Sequence, residues 1–236
     1  MKGRTIVLAG GSGGLGAPCA RRLAEEGARV IVGYRSNRAR AAELSAVAEI
    51  VQADLAVPED RARLLDAAEG LYGLVVFAGD PARAADPERL DDALRLSHEV
   101  NYLGPILLAR EAASRMKRAG TAGSIVLFST MQAGALFAGS TVYAGAKAAL
   151  IHASRILAKE CRGRANIRVN VICPGVHDAG MARASIAAGK YDRYVEEGII
   201  PRFGAPEDVG RAVRFFLEPD GYVTGQVLMV DGGLTL

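Results

Sequence analysis

The segment Thr5-Ile6-Val7-Leu8-Ala9-Gly10-Gly11-Ser12-Gly13-Gly14-Leu15-Gly16 decides the fold. Its first five residues form an apolar run that is typical of a buried strand and too short for a membrane span or a signal-peptide core. A glycine-rich turn follows, and an amphipathic helical pattern begins directly after it, from Ala17 to Glu26. Glycines allow a tight turn and let backbone amides approach a phosphate group at a helix N-terminus. The segment therefore predicts a strand, a phosphate-binding turn and a helix.

The same alternation continues along the chain. Most of the apolar runs are continuous rather than alternating with polar residues, which is typical of strands covered on both faces and favours a parallel sheet. The predicted strands are Thr5 to Ala9, Arg29 to Val32, Glu49 to Gln52, Leu74 to Ala78, Ser124 to Phe128, Ile167 to Ile172 and Gln226 to Val230. The predicted helices are Ala17 to Glu26, Arg38 to Val47, Pro58 to Ala68, Pro87 to Ala119, Tyr143 to Cys161 and Pro206 to Leu217. This order predicts one α/β domain over residues 1–236, a doubly wound, seven-stranded parallel sheet of the Rossmann type.

Composition excludes several classes of protein. The chain has 236 residues, of which 50% are hydrophobic and 23% charged, so it is not disordered. A net charge of +3 gives no argument for a nucleic-acid or membrane partner. The three cysteines, Cys19, Cys161 and Cys173, are odd in number and lack zinc-ligand spacing, so we expect a reduced, cytoplasmic protein without a metal site.

The end of the second predicted strand indicates which nucleotide the glycine-rich turn binds. In such folds an acidic residue about 20 positions after the glycines holds the ribose hydroxyls of NAD, whereas NADP needs a cation for its 2′-phosphate. Tyr34 stands at the expected acidic position and is followed by Arg35 and Ser36. A guanidinium suits a phosphate, so Arg35 and Ser36 favour NADP(H), with NAD(H) as the alternative. The other interpretation is that Arg35 and Arg38 only solvate a loop.

A tyrosine and a lysine four residues apart form the candidate proton-transfer pair. The spacing in Tyr143-Ala144-Gly145-Ala146-Lys147 places both side chains on one face of a helix. A nearby ammonium favours the phenolate and lowers the pKa of a tyrosine from its usual value near 10. We therefore expect Tyr143 to act as an acid/base in carbonyl chemistry, although such a pair also occurs by chance on protein surfaces.

Together these features resemble the short-chain dehydrogenase/reductase family, in its compact single-domain branch, over nearly the whole chain. The landmarks are Gly10, Gly14, Gly16, Asp54-Leu55, Ala78-Gly79, Asn101, Tyr143, Lys147, Pro174-Gly175 and Val230-Asp231-Gly232-Gly233. The resemblance implies a cofactor site formed by Gly10, Ser12, Gly14, Leu15, Gly16, Asp54, Leu55, Ala78, Gly79, Tyr143, Lys147, Pro174, Gly175 and His177. It also implies that Lys147 bonds the nicotinamide ribose and that Asn101 anchors a water in a proton relay.

Several positions depart from the family pattern. The family generally has a serine 13 residues before the tyrosine to polarise the substrate carbonyl, and here that position is Thr130, with Ser129 just before it. We expect Thr130 to supply the hydroxyl, with Ser129 as the alternative. Alanine replaces threonine both at Ala9 and at Ala179, which costs the cofactor one hydrogen bond at the second position. Val76-Phe77 replaces an Asn-Asn pair.

The resemblance implies hydride transfer between NADP(H) and a ketone or secondary alcohol, but the substrate stays open. Residues 178–202 are expected to form a mobile lid over a partly apolar pocket. Similarity to 3-oxoacyl-(acyl-carrier-protein) reductases makes a carrier-bound thioester one candidate, and a small ketone, quinone or steroid-type substrate is the alternative. A catalytically impaired nucleotide-binding regulator is the alternative of another class. The apolar C-terminal edge strand and the resemblance imply a homotetramer, with a dimer second.

Overall fold

The computed structural model describes residues 1–82 and 87–236. Seven strands form one sheet in which every pairing is parallel, in the order β3-β2-β1-β4-β5-β6-β7. The strands are β1 (Thr5–Ala9), β2 (Arg29–Tyr34), β3 (Glu49–Gln52), β4 (Leu71–Val76), β5 (Gly123–Phe128), β6 (Ile167–Pro174) and β7 (Val227–Val230). The predicted fold is confirmed, including the position of β7 at one edge of the sheet.

Nine α-helices lie along the described ranges. They are α1 (Gly16–Glu25), α2 (Arg38–Ala42), α3 (Pro58–Asp66), α4 (Leu90–His98), α5 (Gly104–Ala119), α6 (Thr141–Glu160), α7 (Arg183–Ala187), α8 (Asp192–Glu196) and α9 (Pro206–Phe216). One apolar core packs α3, α5 and α6 on the sheet, and a second packs α1 and α9 on the opposite face. Strands covered on both faces explain why the apolar runs are continuous. Within these ranges no helix is long and apolar enough to cross a membrane.

Three sequence-predicted elements differ from the observed ones by more than two residues at a boundary or are interrupted. The helix expected from Arg38 to Val47 ends at Ala42, and turns follow it. The strand expected over Leu74 to Ala78 begins at Leu71 and ends at Val76, so Ala78 lies beyond it in the loop. The single helix expected over Pro87 to Ala119 is interrupted, because a π-helical turn at Glu99–Leu103 separates α4 from α5.

The interruption has a cause in the chain itself. Pro105 has no N–H to donate to the carbonyl of Asn101 four residues earlier, which breaks the α-helical ladder at that point. Gly104 allows the start of α5 to approach the loop after β3, since a Cβ at this position would lie 2.9 Å from Leu55 Cβ. The π-helical turn therefore carries Asn101, and Gly104 after it lets the start of α5 pack against Leu55.

The amino edge of the sheet carries a different polar cluster. The buried Arg168, near the start of β6, donates hydrogen bonds to the carbonyls of Phe216 (2.9 Å) and Glu218 (2.8 Å) at the C-terminal end of α9. The Ser124 hydroxyl donates to the same Phe216 carbonyl, and the Tyr72 hydroxyl donates to the Leu217 carbonyl. This cluster fixes α9 against the sheet, at the end opposite the candidate site.

Candidate active site

The glycine-rich turn after β1 is shaped by close backbone contacts. Gly10 has a φ of +74°, and a Cβ there would lie 2.7 Å from the Ala78 nitrogen. A Cβ at Gly16 would lie 2.7 Å from Gly11 Cα, and a Cβ at Gly14 would overlap the backbone of Gly180. A side chain at any of these positions would collide with backbone, so the glycines let the turn pack closely at the start of α1, where the partial positive charge of the helix lies. The residues therefore fit a dinucleotide pyrophosphate.

The predicted adenosine-binding residues follow neighbouring strands. Arg35 and Ser36 are exposed directly after β2, and the Arg35 carbonyl accepts a hydrogen bond from Gln52 Nε2 at 3.0 Å. Asp54 follows β3, where its carboxylate accepts the Ala56 N–H at 3.0 Å. Because β3, β2, β1 and β4 are adjacent and parallel, the structure brings these residues to the same edge as the glycine-rich turn.

The candidate catalytic hydroxyls come from the end of β5 and the first turn of α6. The Tyr143 hydroxyl lies close enough to the Thr130 side chain for that side chain to oppose the rise of its pKa, and Thr130 Oγ1 accepts the Gln132 N–H at 3.3 Å. The hydroxyl of Ser129 points elsewhere, since it donates to the backbone carbonyl of Lys147 at 2.9 Å. Thr130 is therefore placed to share a substrate oxygen with Tyr143, whereas Ser129 fastens β5 to α6.

Lys147 is buried below the tyrosine, with 2% of its surface exposed. Its Nζ donates to the Phe128 carbonyl at 2.8 Å and lies close to Gly79, where an added Cβ would be 3.3 Å away. Burial lowers the pKa of this amine to about 8. The lysine is therefore still largely charged at neutral pH and faces the loop that follows β4.

The pKa of Tyr143 differs from the sequence prediction. Burial raises this pKa to about 12, the Thr130 side chain opposes the rise, and the nearby Asp80 carboxylate adds to it. The predicted lowering by Lys147 does not occur in this arrangement, because the ammonium is directed at the Phe128 carbonyl. The tyrosine is thus protonated at neutral pH, as a proton donor must be.

Asn101 is completely buried on the π-helical turn and organises the loop after β4. Its Nδ2 donates to the Asp80 carbonyl (2.9 Å) and to Ser97 Oγ (3.0 Å), while its Oδ1 accepts the Asp80 N–H (2.9 Å). These bonds use both amide hydrogens. The side chain therefore positions the loop after β4, and the water-anchoring role expected for Asn101 stays a prediction.

The loop after β6 contributes backbone more than side chains. Gly175 donates to the Val230 carbonyl at 2.9 Å, and a Cβ at Gly175 would lie 2.6 Å from Asp231 Cα. The ring of His177 is buried, its Nδ1 lies 3.2 Å from the Gly175 carbonyl, and it packs against Gly204. Burial lowers the pKa of this histidine. The cofactor role expected for His177 therefore rests on its backbone and stays a prediction.

Cys173 is buried, and burial raises the pKa of its thiol to about 11, which makes it a poor nucleophile.

Sequence reasoning missed Ser97 and Asp80, both of which bond Asn101. The position of Asp80 directly after Gly79 was the available signal for its proximity, whereas Ser97 gave none, because its contact depends on how two helices pack.

In sequence, this chain is similar to dehydrogenases and reductases over nearly its whole length. The family model described as enoyl-(acyl carrier protein) reductase matches residues 9–235. An uncharacterized oxidoreductase of Methylorubrum extorquens is 36% identical over 99% of this chain and 98% of its own length. The chloroplastic NADPH-dependent aldehyde reductase 2 of Arabidopsis thaliana is 31% identical, with 100% and 95% covered. A 3-oxoacyl-[acyl-carrier-protein] reductase of Aggregatibacter actinomycetemcomitans is 33% identical, with 98% of each chain covered.

A solved structure of a related enzyme has the same fold as this chain. A short-chain type dehydrogenase/reductase from Mycobacterium ulcerans superposes with a TM-score of 0.88 at 29% identity, covering 100% of this chain and 90% of that one.

Proposed function

Because this chain belongs to the short-chain dehydrogenase/reductase family and is an oxidoreductase acting on CH–OH groups, we propose that it reduces a ketone to a secondary alcohol with NADPH, using Tyr143 as the proton donor. The observation that carries the proposal is the proximity of the Tyr143 hydroxyl to the Thr130 side chain, together with the buried Lys147 one helical turn further along α6. The reverse reaction, oxidation of the alcohol, uses the same groups.

The proposed mechanism assigns each residue a separate task. A bound nicotinamide cofactor supplies the hydride. Thr130 and Tyr143 both donate hydrogen bonds to the carbonyl oxygen, so that negative charge developing there is stabilised by fixed dipoles. Tyr143 then gives up its proton to the substrate oxygen, and the Lys147 ammonium, buried and bonded to the Phe128 carbonyl, would bind the ribose of the cofactor. A water anchored by Asn101 returns a proton to the tyrosine.

Cofactor choice is proposed from the end of β2. Arg35 and Ser36 are exposed there, Tyr34 is buried, and no carboxylate occupies positions 34–38 to repel a 2′-phosphate. The name of the Arabidopsis relative, which includes NADPH, supports the same choice. The test compares KM for NADPH and NADH before and after Arg35→Ala. We expect the parent to prefer NADPH and the variant to lose most of that preference. A preference for NADH that survives the substitution would refute the assignment.

Substrate class is proposed from the lid and the surface. Residues 178–202 carry Tyr191, Tyr194 and Ile200 among small side chains, which suits a partly apolar substrate. Lys117, Arg118, Arg162 and Arg164 are exposed near the C-terminal ends of α5 and α6 and could bind an acidic carrier protein. The Aggregatibacter relative is named for a carrier-bound substrate. A 3-oxoacyl thioester is therefore the first candidate, and a small ketone, quinone or steroid-type substrate is the second.

One experiment separates these candidates and the regulatory alternative. NADPH consumption is followed with 3-oxoacyl thioesters, carrier-bound and free, and with a panel of small, quinone and steroid-type ketones. Preference for the carrier-bound thioester supports the first candidate, and turnover only of free ketones supports the second. Tight NADPH binding without turnover of any ketone would favour a nucleotide-binding regulator, the alternative suggested by the departures from the family pattern at Thr130, Ala179 and Val76-Phe77.

Assembly and compartment belong to the same proposal. Strand β7 exposes Val227, Leu228 and Met229 at the edge of the sheet, and such an apolar edge is stabilised by pairing with another copy. We therefore propose a homotetramer, with a dimer as the alternative, and a monomer in sedimentation would refute both. The three cysteines are all free, which supports a reducing compartment such as the cytoplasm.

A further inference from the structure

The first turn of α6 carries Tyr143 but lacks a cap of its own. Ser140 precedes the helix without making a capping hydrogen bond to it, and the first turn contains no acidic residue. The Ser140 hydroxyl instead donates to the Gln132 side chain, in the loop that begins at Thr130. Uncapped helix ends fray, so the position of Tyr143 depends on what holds this turn from outside.

A buried serine on a different helix provides that hold. Ser97 lies on α4 with none of its surface exposed, and its hydroxyl donates to the carbonyl of Val142 at 3.1 Å. The same oxygen accepts a hydrogen from Asn101 Nδ2 at 3.0 Å. Because the donor and acceptor functions of this hydroxyl are both used, the bonds have a fixed direction. They run from the loop at Asp80 through Asn101 and Ser97 to the residue next to Tyr143.

We propose that Ser97 is a positioning residue for catalysis, which holds the start of α6 so that the Tyr143 hydroxyl meets the substrate oxygen. Within residues 1–82 and 87–236, the Ser97 hydroxyl bonds the Val142 carbonyl on one side and Asn101 on the other, so it acts on Tyr143 through these two neighbours. Misplacing a reacting group by about 1 Å costs on the order of 10²-fold in rate. The inference rests on the proposed role of Tyr143 as proton donor.

The test compares two buried serines that differ only in what they hold. Ser97→Ala removes the tether, whereas Ser154→Ala removes a hydroxyl of similar burial on α6 that donates only to the Leu150 carbonyl of its own helix, at 2.6 Å. We expect Ser97→Ala to lower kcat roughly 10- to 100-fold with little change in KM for NADPH or the ketone. Ser154→Ala should lose a comparable amount of thermal stability and keep its kcat.

Ser97→Cys provides a graded third variant, because a thiol is a weak donor and acceptor of nearly the same size. We expect its kcat to lie between those of the parent and Ser97→Ala, and it replaces the alanine variant if that one does not fold. A kcat for Ser97→Ala equal to that of Ser154→Ala, or no loss in Ser97→Cys when the alanine variant is unfolded, would overturn the inference. Failure of the proposed function is seen separately, as full turnover by Tyr143→Phe.

Discussion

Replacing Gly14 with alanine tests the contact between the glycine-rich turn and the backbone of Ala179 and Gly180. A Cβ at Gly14 would lie 2.8 Å from Gly180 Cα and 3.2 Å from the Ala179 carbonyl carbon, and closer still to the Gly180 nitrogen. Ordinary contact begins at 3.4 Å, so the 179–180 backbone must move by more than half an ångström. These are backbone atoms, which cannot rotate away as a side-chain end can.

Overpacking of this kind costs about 1–3 kcal/mol. If the displaced segment also contacts the cofactor, the same free energy weakens NADPH binding by roughly 5- to 150-fold. Gly13→Ala is the matched control in the same turn, since its Cβ would meet only the Gly10 carbonyl oxygen, at 3.3 Å. Urea unfolding and NADPH titration by fluorescence measure the two effects. If Gly14→Ala binds NADPH and unfolds like Gly13→Ala, the reasoning from this contact is refuted.

Three further predictions concern the hydroxyls of Thr130 and Ser129, the hydrogen bonds from Arg168 to the C-terminal end of α9, and the pKa of Lys147. Thr130→Val should lower kcat about 10²- to 10³-fold. Ser129→Ala should cost about 1 kcal/mol of unfolding free energy and leave kcat within a few-fold of the parent value. A larger loss of kcat in Ser129→Ala than in Thr130→Val would assign the polarising hydroxyl to Ser129. Arg168→Met removes two charge-assisted hydrogen bonds, to the Phe216 and Glu218 carbonyls, and should lower the urea-unfolding free energy by about 2–4 kcal/mol without changing kcat. A loss of kcat in the folded variant would contradict the assignment of Arg168 to the end of the sheet opposite the site. Because the pKa of Lys147 is lowered to about 8, ketone reduction should decline as pH rises through that value, and a rate independent of pH there would contradict it. The unfolding free energy should rise between pH 8 and the ordinary lysine range, since there the unfolded chain keeps a proton that the folded chain has lost.

The seven-stranded parallel sheet and the edge that carries the site could be predicted from sequence, because buried parallel strands leave continuous apolar runs and ligands bind beyond their carboxyl ends. The approach of Gly10 to Ala78 and the separation of Thr130 from Ser129 needed the structure. Residue spacing places a side chain on a face, but it does not say which neighbouring carbonyl the side chain bonds.

The pKa of Tyr143 shows this limit most clearly. The spacing to Lys147 suggested a lowered value, whereas burial raises it and the ammonium is held by the Phe128 carbonyl. Ser97 was invisible for a similar reason, since its partner Val142 is 45 residues away and meets it only through packing of α4 on α6. The break between α4 and α5 could have been predicted, because Pro105 lies inside the helical pattern.

The central claim is that Tyr143 donates the proton during ketone reduction. The most direct test measures turnover and NADPH affinity in Tyr143→Phe, with Tyr222→Phe, a change at a fully exposed tyrosine, as the control. The account predicts that Tyr143→Phe binds NADPH as the parent does and loses about 10²- to 10⁴-fold in kcat, while the control keeps both. Turnover by Tyr143→Phe equal to that of the control would contradict the account.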